Sequence, residues 1–486
     1  MTKGKILFTH SYFYRFDQKQ WHIGEPYPPL MTITAASYMR ANQYDVGLFD
    51  TALVKDPHEI IAKLDDFQPD YLVVFDDGFN YLTKMCLTTM REAAFEMQKL
   101  AKSRGIDVIT CSSDASDHYE KYLEHGADFV IRGEGEVSLL KLIDALVGEN
   151  EETAKNIPGV CFQDKETVKS IAKGEVIRNL DMLPQAAWDL VDMESYTKIW
   201  HQKHTNQYIN LATTRGCPYK CNWCAKPIYG NRYNSRSVKL VVDEIELHVK
   251  KHDINHFWMC DDIFGLKPGW VREFDKELKS RNLEIRYKIQ SRADLLLTDD
   301  TISALASSGA DEVWLGAESG SQRILDAMDK GTKVEQIYEA TRNLHKHNVK
   351  VAFFIQLGYL GEESSDIQKT IKMITDLKPD NLGISVSYPL PGTGFYERVK
   401  SQLEEKQNWT DSDDLDTMFR STYPKRYYKK LHRYIHRVYN RHVVWNNLKE
   451  KASPSSIMIG IFKIFFHFAS QSALSLQMQY IKAWHK

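Results

Sequence analysis

Residues 213–227 read TTRGCPYKCNWCAKP and place Cys217, Cys221 and Cys224 at i, i+4 and i+7, in a chain with seven cysteines among 486 residues. Three thiolates leave one position of a tetrahedral metal site, or one iron of a cubane cluster, without a protein ligand. Structural zinc usually shows two C-x2-C pairs, and no second pair lies nearby, although Cys260 could supply a fourth thiolate. Iron and sulfur account for the spacing better. A thiolate loop can wrap a cubane closely, and an iron without a protein ligand can bind a small molecule and pass it an electron.

The motif directly follows an apolar segment, QYINLATT (207–214), the first of six that alternate with amphipathic stretches between 206 and about 395. The others are HFWMCDD (256–262), IRYKIQSR (285–292), ADEVWLGAE (310–318), KVAFFIQLG (350–358) and NLGISVSYPL (381–390). Six such units predict a complete or partial α/β barrel, with its active site at the C-terminal rim of the strands. The cysteine loop falls on that rim.

Upstream, KILFTH, YDVGLFD, YLVVFD, IDVITC and ADFVIRGEGE alternate with helical text over residues 1–150. This is the pattern of an open, doubly wound parallel sheet, whose ligands sit beyond the C-terminal strand ends. Loops 9–30, 76–81, 111–118 and 132–136 are the candidate ligand loops. Residues 151–205 read as a small hairpin and a proline-bearing linker, and residues 396–486 as a basic, aromatic, helical region.

Composition narrows the function classes. A formal charge of −2, from 63 Lys and Arg against 65 Asp and Glu, offers no field for a nucleic-acid backbone, so no nucleic acid is expected as partner. The N-terminus lacks the apolar run of a signal peptide, and clustered, odd-numbered cysteines suit a reducing cytoplasm. Lys463 and His467 interrupt the apolar run near the C-terminus, which argues against a spanning helix. A core-packing or dimerising helix is the plainer reading, with a peripheral membrane contact or a substrate-covering element as alternatives.

The cysteine stretch resembles the C-x3-C-x-aromatic-C signature of radical S-adenosylmethionine (SAM) enzymes, with Trp223 in the aromatic place. WMCDDIFG, YKIQSRADLL, VWLGAESGSQRILDAMDKGT, AFFIQLGYLGEESSD and SYPLPGTGFYERV are similar to blocks of the members with cobalamin-type N-terminal domains. The resemblance spans about residues 5–395. It implies a [4Fe-4S] cluster on Cys217, Cys221 and Cys224, with SAM on the fourth iron and one-electron cleavage of SAM to a 5′-deoxyadenosyl radical. It further implies SAM contacts from Cys260, Asp261 and Asp262 at the second strand end, Arg292 at the third, and Glu318 on the ribose. An arginine can pair with the methionyl carboxylate, and a carboxylate can accept from both ribose hydroxyls; barrel-rim salt bridges are the plainer alternative for both residues.

By the same resemblance the N-terminal domain is a cobalamin-binding domain. Its expected platform is Asp76, Gly78, Phe79 and Asn80, then Ser112, Ser113 and Asp114, then Arg132, Gly133, Glu134 and Gly135. Glycines there let backbone approach a bulky ring, although RGEGE also reads as a plain turn before a helix. The D-x-H-x-x-G of classical cobalamin domains is absent, which fits the radical SAM relatives; two departures from those relatives are Ser112-Ser113-Asp114-Ala115 in place of G-G-x-H and Leu360 in the proline place of G-x-P-G-E. The implied activity is C-methylation of a small molecule or peptide through methylcobalamin, with an external one-electron donor such as flavodoxin or ferredoxin. A radical oxidative cyclisation or ring rearrangement, and a non-catalytic cobalamin or redox sensor, are the alternatives. Tyr12, Tyr14, Trp21, His22, Tyr359 and Tyr388 are candidates for the substrate wall.

Overall fold

The computed structural model describes residues 2–148, 153–172, 174, 176–224, 229–450 and 454–485. Two compact units emerge: Met1–Pro218 with Ala225–Tyr287 and Asn408–Asp414, and Tyr219–Cys224 with Lys288–Gln407 and Leu415–Lys486.

In the first unit, β1 (Lys5–Thr9), β2 (Asp45–Phe49), β3 (Tyr71–Phe75), β4 (Asp107–Cys111) and β5 (Phe129–Ile131) pair in parallel in the order β2-β1-β3-β4-β5. All five residues of β3, YLVVF, are buried, as expected for a central strand covered on both faces. Leu72 and Val74 pack with Ala94 and Met97 of helix Thr88–Lys102 in one continuous core. The hairpin of residues 151–205 is β6 (Val160–Asp164) and β7 (Thr167–Ser170), and β6 pairs antiparallel with β5, so it extends the first sheet. The segment Asn408–Asp414 also joins this unit, through Thr88 N donating to the Trp409 carbonyl at 2.9 Å and Ser412 Oγ to Asp17 at 2.6 Å.

The second sheet takes β8 (Ile209–Leu211), β11 (His256–Met259), β12 (Arg286–Ser291), β13 (Ala310–Glu318), β14 (Lys350–Leu357) and β15 (Asn381–Val386) in sequential order. β8 and β11 pair in parallel, as do β13, β14 and β15, and the six segments read as strands all form. Short β9 (Thr214–Arg215) and β10 (Asn234–Ser235) make a separate antiparallel pair around the cysteine loop. The register of β13 on β14 shifts between Gly316 and Glu318, and Glu318 takes φ +56°. A side chain in the left-handed region is held there only by its surroundings, and here the irregularity re-aims Glu318 at the strand end.

The C-terminal region is two long helices, Lys425–Glu450 and Pro454–His485. The first buries Tyr427, Tyr428, Leu431, Ile435 and Val438, a stripe at helical spacing. Ile459–Ala483 is long and apolar enough to cross a membrane by length and composition, yet only 17% of its apolar window is buried. It is therefore no core helix.

Candidate active site

Gly216 shapes the loop after β9. Its φ is +84°, and a Cβ there would collide with the Arg232 carbonyl oxygen, so no other residue fits. Cys217 is buried, Cys221 and Cys224 are half-buried, and none of the three is in a disulfide. Among the described residues no three His, Cys, Asp or Glu side chains surround a point that a single metal ion could occupy. A cubane makes a different demand, since each of its thiolates binds its own iron.

In the second unit, one cation stands at Cys221 and a second, Lys330, lies near Trp223 of the same loop. Arg292 Nη1 lies 3.9 Å from Cys221 Sγ, and the guanidinium lies over the Tyr219 ring at 3.7 Å. Arg292 is held by Asp294 at 2.9 Å, the Lys330 carbonyl at 2.8 Å and Thr332 Oγ1 at 2.9 Å. Lys330 Nζ donates to Glu318 Oε1 at 2.9 Å and lies 5.8 Å from the Trp223 ring centre. Burial pulls the Lys330 ammonium down, but Glu318 and then Cys221 outweigh it and hold its pKa above lysine's ordinary value. Gly316 leaves room for this pair: a Cβ would sit 2.6 Å from Lys330 Nζ and 2.9 Å from Glu318 Oε1. The Trp223 indole nitrogen is buried without a protein partner.

In the first unit, Asp261 pins the start of the cysteine loop. Its Oδ1 accepts from the Thr213 and Thr214 amides at 2.7 and 2.8 Å, and Oδ2 from Thr213 Oγ1 at 2.5 Å. It is a positioning residue, and burial pushes its carboxyl up to about 7. Asp262 accepts from Lys84 Nζ at 2.6 Å. Cys260 does not supply the fourth thiolate that the sequence left open: its buried thiol donates to the Leu211 carbonyl at 3.1 Å, and burial pushes its pKa well up.

The loops beyond β3, β4 and β5 divide by role. Asp76 accepts from Ser11 N and Oγ at 2.7 and 2.9 Å, with burial raising its carboxyl to about 6. Asp77 holds the Met31 and Phe79 amides around buried Gly78, and Asn80 caps helix Tyr81–Lys84. Ser112 caps helix Ser113–Asp117, whereas Ser113 Oγ is buried with no partner. Asp114 is committed to Arg91, at 2.6 and 2.5 Å, and to the Tyr122 hydroxyl at 2.8 Å. Arg132 is committed to the Ser116 carbonyl at 3.0 Å and Ser170 Oγ at 2.8 Å.

Glu134 accepts from Arg215 Nη1 at 2.5 Å and from the Ile177 amide at 2.6 Å, while Glu136 accepts from Arg215 Nη2 at 2.7 Å. The two glycines of RGEGE differ. Gly133, at φ +91°, has open space where a Cβ would lie; at Gly135 a Cβ would collide with Cys111 Sγ and come within 2.9 Å of the Phe75 ring. Gly135 thus admits the protein's own side chains.

Among the candidate wall residues, Tyr12, Tyr14 and Tyr388 are buried, and Trp21 meets Tyr14 edge-on at 5.5 Å beside exposed His22. Tyr359 sits in the core with Phe395 and Phe419, its hydroxyl donating to Asn222 Oδ1 at 2.7 Å. It anchors the cysteine loop and forms no wall. Sequence reasoning missed Thr213, Arg215, Tyr219, Lys84 and Lys330. The first three lie within or beside the cysteine stretch, where a buried arginine and a polar pair were signals; Lys84 and Lys330 carried none.

Residues 211–374 match the Radical SAM superfamily. The chain carries a radical SAM domain. Its relatives include an uncharacterized methyltransferase of Pyrococcus horikoshii, 25% identical over 82% of this chain and 84% of that protein. Another is the anaerobic magnesium-protoporphyrin IX monomethyl ester cyclase of Rubrivivax gelatinosus, 26% identical over 83% of this chain and 72% of that protein. Among solved structures, the cobalamin-dependent radical SAM enzyme OxsB, with aqua-cobalamin and SAM bound, shares the fold. It superposes at a TM-score of 0.71 with 19% identity, over 99% of this chain and 76% of that one.

Proposed function

We propose that this radical SAM enzyme is a cobalamin-dependent C-methyltransferase acting on an unactivated carbon of a small molecule or peptide. The observation that carries the radical chemistry is the cysteine loop with Arg292 set at Cys221 and Lys330 near Trp223. An iron–sulfur cluster on three thiolates carries negative charge, and these two buried cations beside the loop would compensate it. Cys217, Cys221 and Cys224 would hold the [4Fe-4S] cluster.

Arg292 and Glu318 sit at the strand ends where the SAM carboxylate and ribose would be received, with Asp261 fixing the loop and Lys330 orienting Glu318. For cobalamin, the fitting features are the unpartnered Ser113 hydroxyl and the open backbone at Gly133. When bound, these groups supply one-electron SAM cleavage, hydrogen abstraction and a transferable methyl; the chain supplies placement and exclusion of water. Flavodoxin or ferredoxin would deliver the electron. The four-part division at 150, 205 and 395 is proposed as the functional organisation.

Oxidative cyclisation is the second reading, favoured by the similarity to the Rubrivivax cyclase over most of the chain. The test is anaerobic reconstitution with iron, sulfide and cobalamin, an absorption spectrum, and mass spectrometry after adding SAM and reductant. A corrinoid band with both deoxyadenosine and S-adenosylhomocysteine supports methylation. Deoxyadenosine without S-adenosylhomocysteine supports cyclisation, and neither product refutes the catalytic reading.

A further inference from the structure

The terminal helix leaves a continuous apolar face uncovered. Phe462, Phe465, Phe466, Phe468, Leu476 and Tyr480 are 51–73% exposed along it. Its opposite face, at Gly460, His467, Leu474, Met478 and Ile481, is buried at near-heptad spacing. Gly460 lies against Leu448, and Arg437 meets His467 at 3.2 Å. At the far end Lys482 donates to Ser364 Oγ at 2.8 Å and lies over the Tyr423 ring at 5.0 Å. Held at both ends on its own unit, the helix lies along the surface, so a spanning orientation would require these contacts to break.

Charge identifies what covers this face. Residues 425–486 carry twelve Lys and Arg against the single acid Glu450, so the chain's −2 divides into +11 here and −13 elsewhere. Arg426, Lys429 and Arg433 form an exposed basic stripe on the neighbouring helix. A second copy on the same face would bring +11 against +11, whereas a surface that is apolar inside and anionic outside matches both features. We propose that the C-terminal helix pair docks the enzyme on an anionic lipid surface, with the exposed phenylalanines in the acyl boundary and the basic stripe on the headgroups.

The test is flotation of the full-length reconstituted protein with vesicles of phosphatidylcholine alone or with about one third phosphatidylglycerol. Binding should require the anionic lipid and fall as salt rises from about 0.1 to 1 M, where the screening length shrinks from about 10 to 3 Å. Arg426→Gln/Lys429→Gln/Arg433→Gln should weaken it by on the order of a hundredfold, at about fivefold per charge. Phe462→Ser/Phe465→Ser/Phe466→Ser should abolish flotation while iron content and circular dichroism match the parent. If that variant misfolds, the charge variant and the parent's salt response carry the test. No vesicle binding, equal binding to both lipids, or a dimer that protects the terminal helix without vesicle binding would each overturn the proposal.

Discussion

Replacing Lys330 by Met removes one ammonium and keeps most of the volume. The side chains of Lys330 and Glu318 are only 8% and 6% exposed, with 2.9 Å between Nζ and Oε1. Deleting one partner of a buried pair leaves an uncompensated charge, at a cost of about 3–5 kcal/mol. With about 2.1 cal/mol/K of unfolding entropy per residue, a chain of 486 residues changes by about 1 kcal/mol/K, so the midpoint should fall by about 3–5 °C if unfolding is cooperative. Lys330→Met/Glu318→Leu removes the stranded carboxylate as well and should recover most of that loss, because apolar replacement of both partners is often neutral. The assay is a differential scanning measurement on the metal-free protein, read as a double-mutant cycle. A single variant within 1 °C of the parent, or a double variant no better than the single, would refute the claim that the pair is a buried, mutually dependent unit. Gly316→Ala offers a milder version, since its Cβ pushes into the same two atoms.

Cys221→Ala should leave circular dichroism unchanged and prevent a stable four-iron cluster, as measured by iron and sulfide after reconstitution; a normal cluster would contradict the ligand assignment. Glu318→Ala should weaken SAM binding by about tenfold or more in calorimetry, and an unchanged Kd would remove its role. Arg215→Lys should lower the thermal midpoint, because one ammonium cannot satisfy Glu134 and Glu136 together as the guanidinium does; no change would mean the carboxylates find other partners. Burial pushes the Glu362 carboxyl from 4.5 up to about 8, so the folded state keeps a proton that the unfolded chain loses. Stability from this group is therefore fully present below pH 4.5 and declines as pH rises to about 8; Glu362→Gln keeps the acceptor for the Gly358 amide and should flatten that slope in pH-dependent melts.

Much of the fold was legible because a buried parallel strand writes itself locally. YLVVF is apolar at every position, and KVAFFIQLG ends in the glycine that turns the chain, at φ +76°. The cysteine loop was legible for the same reason, since its ligand spacing and Gly216 lie within nine residues. Long-range partners were not. Glu134 and Asp114 look like loop groups free to meet a ligand, and only the fold brings Arg215, 81 residues away, to the one and Arg91 to the other. RGEGE reads as two equivalent glycines, but only the packed structure shows Cys111 and Phe75 filling the space beside the second.

The terminal helix marks the same boundary from the other side. Its apolar run reads as core, because periodicity records which residues avoid water and not what covers them. Only exposure separates the face on Leu448 and Arg437 from the face that carries Phe462 and Phe465. In both halves of the molecule, then, sequence pattern names the groups that must leave water, and the tertiary fold decides which partner receives them. For Glu318 the partner is Lys330, a lysine whose burial would be prohibitive without that carboxylate. The strain at Glu318 and the glycine at 316 are intelligible together on that basis: the backbone bends to seat a charge pair at a strand end, beside the cysteine that completes the site.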